Sequence, residues 1–205
     1  ELVSVMSIML LGWPSAIILI WISIHIGGKI RITLPRSITP IPITLQTLFA
    51  SWGGMEFGPL FGSYGAMLHA ISWIYIHSKP VRTDDEGRKS QPLHFLFRVL
   101  PKAPSLSLGY VLGMIPCALV SGIIVDKYKN GYPTQIIAAA IGQLFALFSG
   151  TWWIMMLDRC REQHQLKLIS YWKTFFIPFL PGLFLKSIFA GVMLWISTQY
   201  FPPNE

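Results

Sequence analysis

The chain has 205 residues, of which 53% are hydrophobic and only 12% are charged. Soluble domains carry about 25% charged residues, so this composition excludes an ordinary soluble protein and predicts one polytopic membrane domain over residues 1–205. The net charge of +7 does not indicate nucleic-acid binding, because the sixteen Lys and Arg residues lie almost wholly between apolar runs, where they orient membrane helices.

The first half of the chain predicts three helices. The apolar run Met6–Gly27 carries no charge over a length that crosses a bilayer, since a crossing takes about 20 residues. From Ile43 to His77 only Glu56 is charged, and glycines and a proline interrupt the middle. This second run therefore predicts a short helix followed by a helix from about Pro59 to His77.

The second half predicts three more helices after a long polar stretch, in which Leu93–Leu100 is expected to form an interfacial amphipathic turn. Helices four, five and six are predicted at Leu106–Val125, Tyr132–Leu157 and Thr174–Tyr200. The predicted fold class is all-α, a six-transmembrane-helix bundle of an integral, multi-pass membrane protein, expected in the plasma membrane.

The basic residues are divided unevenly between the two faces of such a bundle. The first, third and fifth connections hold thirteen of them, whereas the second and fourth hold only Lys127 and Lys129. By the positive-inside rule, the odd-numbered connections are predicted to lie in the cytoplasm.

The sequence lacks the groups that most membrane enzymes and metal sites use. The nine carboxylates lie at the termini, in connections or, for Glu56, in the predicted turn between helices two and three. The five histidines are scattered, and no serine lies in a recognisable nucleophile motif. We therefore predict no enzyme, no metal and no cofactor.

Lys186 is the one charge between Phe175 and Ser197. A lysine at the centre of a membrane helix costs about 2.5–3.5 kcal/mol, so it indicates a partner, a water-filled cavity or a ligand. The alternative is that Lys186 extends to the interface, because Pro178 and Pro181 could shorten the first half of the segment. With the amides, hydroxyls and indoles of the other spans, Lys186 suits a small amphipathic organic anion.

Three segments carry a family resemblance. "PIPITLQTLF" is similar to a Pro-x-Pro-x-Thr-Leu-Gln-Thr signature, "LGYVLGMIPCALVSG" to a Gly-Tyr-Leu-x-Gly-Phe helix, and "IPFLPGLFLKSIFA" to a Pro-Phe-x-Pro-Gly-Asp-x-x-Lys motif. All three belong to the BioY family of biotin transporters, the substrate-binding components of energy-coupling-factor importers. The resemblance covers roughly Ile22 to Ile196.

The resemblance implies uptake of biotin or a related carboxylated vitamin by a bundle of six helices. It places Lys186 at the substrate site. By motif position, Gln46 and Thr44 are expected to bond the ligand or shape a lid, and Gly109, Tyr110 and Trp153 to form the apolar wall. It also implies an orientation with the odd-numbered connections outside, opposite to the charge count.

Two departures from the family pattern affect the expected partners. Leu183 stands where the family has an aspartate, so the acidic partner of Lys186 is missing. The family resemblance implies small residues four apart on helix one for docking to the ATP-driven module, whereas Ala16 is followed by Ile20. The docking face is therefore expected to be altered, and the protein to act alone or to dock differently.

Two other functions stay open on the sequence alone. One is a membrane scaffold or assembly protein with a degenerate ligand site, of which Leu183 is the trace. The other is a lipid-handling membrane enzyme. Saturable binding of a vitamin, sensitive to Lys186, separates the transporter from both.

Overall fold

The computed structural model describes residues 2–32, 43–77, 104–128, 131–161 and 168–200. Its helices are α1 Leu2–Lys29, α2 Gln46–Phe57, α3 Pro59–His77, α4 Pro104–Leu112, α5 Met114–Tyr128, α6 Gly131–Arg161, α7 Leu168–Phe175 and α8 Leu180–Tyr200. Two strands of two residues each, β1 Arg31–Ile32 and β2 Ile43–Thr44, pair antiparallel before α2.

The predicted all-helical bundle is confirmed. Predicted helix four is divided at Gly113 into α4 and α5, but its hydrogen bonds continue across the division. The N–H of Gly113 donates to the carbonyl of Gly109 at 2.9 Å, and the N–H of Cys117 donates to Gly113 at 3.1 Å. Because these bonds have the helical i to i−4 spacing, α4 and α5 form one span. The expected turn at Leu93–Leu100 lies outside the described residues.

Three helical segments within the described ranges are long and apolar enough to cross a membrane: Ser107–Tyr128, Gly131–Arg159 and Leu168–Tyr200. The last includes both α7 and α8. The sequence predicted helix six from Thr174 with kinks at Pro178 and Pro181, and a 3₁₀ turn at Ile177–Phe179 separates α7 from α8. Pro178 causes this break because its nitrogen has no hydrogen to donate to a helical carbonyl.

The short helix α2 lies at the centre of the bundle, against α1, α3, α5, α6 and α8. Glycine makes this close packing possible. A Cβ atom on Gly54 would lie 2.7 Å from the carbonyl carbon of Ala118 on α5. Small residues permit such backbone contact in lipid, where helices associate by close packing. The expected short second helix is therefore the element that the other helices surround.

Candidate functional site

Lys186 extends from α8 toward the N-terminal turn of α2. Its Nζ donates a hydrogen bond of 2.7 Å to Oγ1 of Thr47. Leu183, which precedes Lys186 by about one turn of the same helix, is 3% exposed and apolar. The side chain at the position where the family has aspartate therefore supplies no charge to the ammonium.

Backbone contacts fix Thr47 in front of Lys186. The N–H of Leu45, just before α2, donates to the carbonyl of Gly27 at 3.0 Å, which ties the start of α2 to the end of α1. The carbonyl of Thr47 accepts a contact of 3.9 Å from Sγ of Cys117 on α5. Cys117 is fully buried.

One turn further along α2, Ser51 lies on the same face as Thr47. Its hydroxyl donates to the carbonyl of Leu48 at 2.9 Å and accepts a 3.3 Å hydrogen bond from Nε2 of Gln143 on α6. Ser51 and Gln143 are both buried. We call the five side chains of Thr47, Ser51, Cys117, Gln143 and Lys186 the polar layer.

The polar layer combines one cation with neutral hydrogen-bonding groups. Thr47 is the acceptor for the ammonium, and Lys186 can donate two further hydrogen bonds and accept none. The described residues hold no group of three or more His, Cys, Asp or Glu side chains that could bind a metal ion. The layer is therefore suited to binding an anionic group by charge and hydrogen bonds rather than to metal chemistry.

Three of the predicted site residues lie together elsewhere, between α4 and α6. A Cβ atom on Gly109 would lie 2.7 Å from Cγ of Trp153. The two residues border an apolar groove of about 360 Å³, lined by Gly109, Leu112, Phe148, Ser149, Trp152 and Trp153. Trp153 follows Gln143 by ten residues, or about 15 Å along α6, so this groove lies at a different level from the polar layer.

Tyr110, the third of these residues, holds the break between α7 and α8. Its hydroxyl donates to the carbonyl of Phe175 at 2.9 Å, and the hydroxyl of Thr151 donates to the same carbonyl at 3.2 Å. The N–H of Phe179, four residues on, bonds to Phe176 instead. The two hydroxyls therefore satisfy a carbonyl that the 3₁₀ turn leaves free.

The other two predicted site residues lie where α1 ends. A Cβ atom on Gly28 would lie 2.9 Å from Cδ of Gln46, so the amide of Gln46 packs against α1. Thr44 pairs with Arg31 in the two-residue ladder. Gln46 precedes Thr47 by one residue in α2, but its amide packs against α1 rather than facing Lys186 on α8. The ligand roles of Gln46 and Thr44 stay predictions.

Sequence reasoning singled out Lys186 and did not include Ser51 or Cys117 among the site residues. Thr47 and Gln143 were recognised only as part of a general pocket chemistry. The spacing of Thr47 and Ser51, four residues apart in a short helix, is the signal that could have identified a polar face. No local pattern relates Gln143 to that face, because Gln143 and Ser51 lie 92 residues apart in sequence.

The structure also corrects the expectation about the outer face of α1. Ile20 is fully buried and packs on Gly53 and Gly65, so it points into the bundle and cannot obstruct docking. The outward surface contains instead a groove of about 500 Å³, lined by Gly12, Trp13, Ser15, Ala16, Leu19, Phe57 and Phe61. Gly12 and Ala16 of this groove are small residues four apart, a pair that the sequence analysis did not consider.

Comparisons with known proteins agree with this architecture. The model of the BioY family matches residues 100–202, about half of the chain. The biotin transporter BioY of Rhodobacter capsulatus is 26% identical over 168 residues, covering 79% of this chain and 81% of the relative. The solved S-component for biotin from an ECF-type ABC transporter is 20% identical, with a TM-score of 0.65 over 93% of both chains.

Proposed function

This chain belongs to the BioY family, and we propose that it takes up biotin across the plasma membrane by binding it within the helix bundle. It is a multi-pass membrane protein and a transporter rather than an enzyme. The similar protein of Rhodobacter capsulatus is a biotin transporter, and the similar structure is an S-component for biotin. Family membership favours transport over the scaffold with a degenerate site.

The observation that carries the proposal is the ammonium of Lys186 inside a membrane-spanning segment. Among the described residues its recorded hydrogen-bond partner is the neutral hydroxyl of Thr47. A charge in this position is costly unless an opposite charge joins it. The carboxylate of biotin is such a charge, and the apolar chain and thioether ring of biotin suit the surrounding core.

The predicted site residues are proposed to act in three groups. Lys186 binds the carboxylate, with Thr47 holding the ammonium in place when the ligand is absent. Gly109, Tyr110 and Trp153 border or support the apolar groove between α4 and α6, where they stabilise the wall of the bundle. Gln46 and Thr44 shape the entry at the end of α1.

Uptake of labelled biotin tests the proposal in cells that lack their own biotin carrier. Lys186→Ala removes the charge that pairs with the carboxylate, so we expect saturable uptake to fall at least tenfold. The control is Lys127→Ala, because Lys127 is exposed near the end of α5 and lies over the ring of Tyr128. The proposal fails if the wild type takes up no biotin, or if both variants transport equally.

We further propose that an energy-coupling module binds the groove on α1. The similar solved structure comes from an ECF-type ABC transporter, and the groove presents two small residues, Gly12 and Ala16, to the outside. Small residues four apart allow a second membrane helix to approach closely. This replaces the expectation that bulk at Ile20 prevents such docking.

A further inference from the structure

The amide of Gln143 lies deep in the bundle with one of its two polar atoms unpaired. Gln143 is 2% exposed. Its Nε2 donates to Ser51 at 3.3 Å, whereas its Oε1 is buried without a hydrogen-bond partner. A buried acceptor with no donor is destabilising, so the oxygen of Gln143 indicates a donor that the described residues do not supply.

The orientation of the amide follows from Ser51. The serine hydroxyl has one hydrogen, which it donates to the carbonyl of Leu48 at 2.9 Å. It can therefore only accept from Gln143, so the NH₂ group must face Ser51. The oxygen of Gln143 is consequently the atom left free, and it requires an N–H or O–H donor.

Helix packing places Gln143 beside Lys186. Helices α6 and α8 pack together, and Ala139 of α6 shares a buried cluster with Ala190 of α8. Gln143 lies one turn after Ala139, and Lys186 lies one turn before Ala190. Thr151 bonds to Phe175 and Gly191 lies against Ile136, so α6 and the α7–α8 span run in opposite directions. Both steps therefore lead toward the same end of the bundle and bring the two side chains within about one helical turn of each other.

Helix α2 links the same two residues independently. Thr47 accepts from Lys186, and Ser51, one turn later on the same face, accepts from Gln143. The separation of Thr47 and Ser51 is about 6 Å along the helix axis. The ammonium and the free amide oxygen are therefore neighbours in one layer between three helices.

We propose that Oε1 of Gln143 accepts a hydrogen bond from a ureido N–H of biotin while Lys186 pairs with its carboxylate. This inference rests on the proposed function and adds a specificity determinant to it. Biotin carries N–H donors on its ring and a carboxylate at the end of its chain. The ammonium of Lys186 can only donate, so it cannot pair with the ureido N–H; the oxygen of Gln143 can accept from it.

Gln143 then selects biotin against carboxylates that lack a ring N–H. Lipoate is the suitable competitor, because it has the same length of carboxylate chain on a five-membered ring that contains sulfur and no nitrogen. A site built to receive an N–H rejects an analogue without one, because its buried polar atom is left unpaired. Lys186 by itself gives no such discrimination.

The test compares dissociation constants for biotin and lipoate, measured on the purified full chain. The variant Gln143→Met keeps the side-chain length and removes the acceptor. We expect biotin affinity to fall about tenfold and lipoate affinity to be unchanged or higher. Thermal stability without ligand should change little, because the variant removes the unpaired oxygen together with the long 3.3 Å bond to Ser51; loss of a purely structural glutamine would lower it clearly.

The matched control is Gln135→Met, because Oε1 of Gln135 is also buried and unpaired. Gln135 precedes Gln143 by eight residues, about 12 Å along α6. Its substitution should therefore leave the ratio of the biotin and lipoate dissociation constants unchanged. An equal change in both variants, or no change in Gln143→Met, overturns the inference. Gln143→Leu provides a second apolar variant if the first expresses poorly.

The outcomes separate this inference from the proposed function. If Lys186→Ala abolishes binding of both ligands and Gln143→Met leaves their ratio as in the wild type, the transporter assignment stands and the role of Gln143 is wrong. If the wild type binds neither ligand, the proposed function itself fails.

Discussion

Thr47 and Lys186 connect two helices through a single hydrogen bond of 2.7 Å between a hydroxyl and an ammonium. Inside a membrane such a bond holds a charge that has no water to solvate it. With Leu183 on the preceding turn, the hydroxyl of Thr47 is the feature that makes Lys186 tolerable without ligand. Substitution at Thr47 should therefore affect stability through Lys186.

We expect Thr47→Val to lower the free energy of unfolding by about 1 kcal/mol in the ligand-free protein, because it removes this acceptor and keeps the side-chain shape. In a Lys186→Met background the same change should have little effect, since no ammonium is left unpaired. These changes form a double-mutant cycle of the wild type, the two single variants and the double variant. The free energies of unfolding of the four proteins, measured in bicelles, give the coupling energy between Thr47 and Lys186.

Thr198→Val is the control for that cycle, because the hydroxyl of Thr198 is exposed and bonds only locally, to the carbonyl of Trp195. It should change stability by less than about 0.5 kcal/mol. An equal loss for Thr47→Val in both backgrounds would mean that the hydroxyl acts independently of Lys186.

At the scale of elements, the turn between α2 and α3 packs on α5 through glycine. A Cβ atom on Gly122 would lie 2.5 Å from the carbonyl oxygen of Gly54 and 2.7 Å from Cα of Pro59. Gly58, between the two helices, has a φ of 89°, a conformation that favours glycine. The central position of α2 therefore depends on the absence of side chains at its contacts.

Gly122→Ala should accordingly destabilise the protein by about 2 kcal/mol or more, because backbone rather than a mobile side chain meets the new methyl group. Gly12→Ala is the matched control, since a Cβ atom there has nothing within 4 Å and alanine favours a helix. Thermal unfolding of both variants in the same detergent checks this. Similar melting temperatures would contradict the packing argument.

At the scale of the whole molecule, we propose that residues 1–205 form one transmembrane domain with two separate working surfaces. The polar layer is internal, and the groove bounded by Gly12 and Ala16 lies on the outside of α1. Because the two share none of their residues, binding of biotin and coupling to ATP hydrolysis should be separable by mutation.

The double variant Gly12→Leu, Ala16→Leu should fill the groove and abolish co-purification with the ATPase and its coupling subunit. Biotin affinity of the purified chain should stay within about twofold, since affinity depends on contacts at the binding site. The control is Ile137→Phe, on an exposed part of α6. Wild-type protein that captures no ATPase and transports biotin alone would favour the solitary carrier instead.

The sequence by itself determined the fold class and the six helical segments, and it predicted a ligand-binding role for Lys186. These properties depend on local hydropathy and on the cost of one charge in lipid, which are readable along the chain. The break before α8 was harder to predict from the sequence. Pro178 and Pro181 indicated a kink, but the hydroxyls of Tyr110 and Thr151 that bond to the carbonyl of Phe175 at this break come from other helices.

Only the tertiary structure decided which polar side chains meet. Gln143 reaches Ser51 across 92 residues of sequence, and Lys186 reaches Thr47 across 139. The same structure turned Ile20 inward and left Gly12 and Ala16 on the groove outside α1. Such pairings are set by how closely small residues let the helices approach and by how each helix is rotated, which hydropathy along a single chain does not specify.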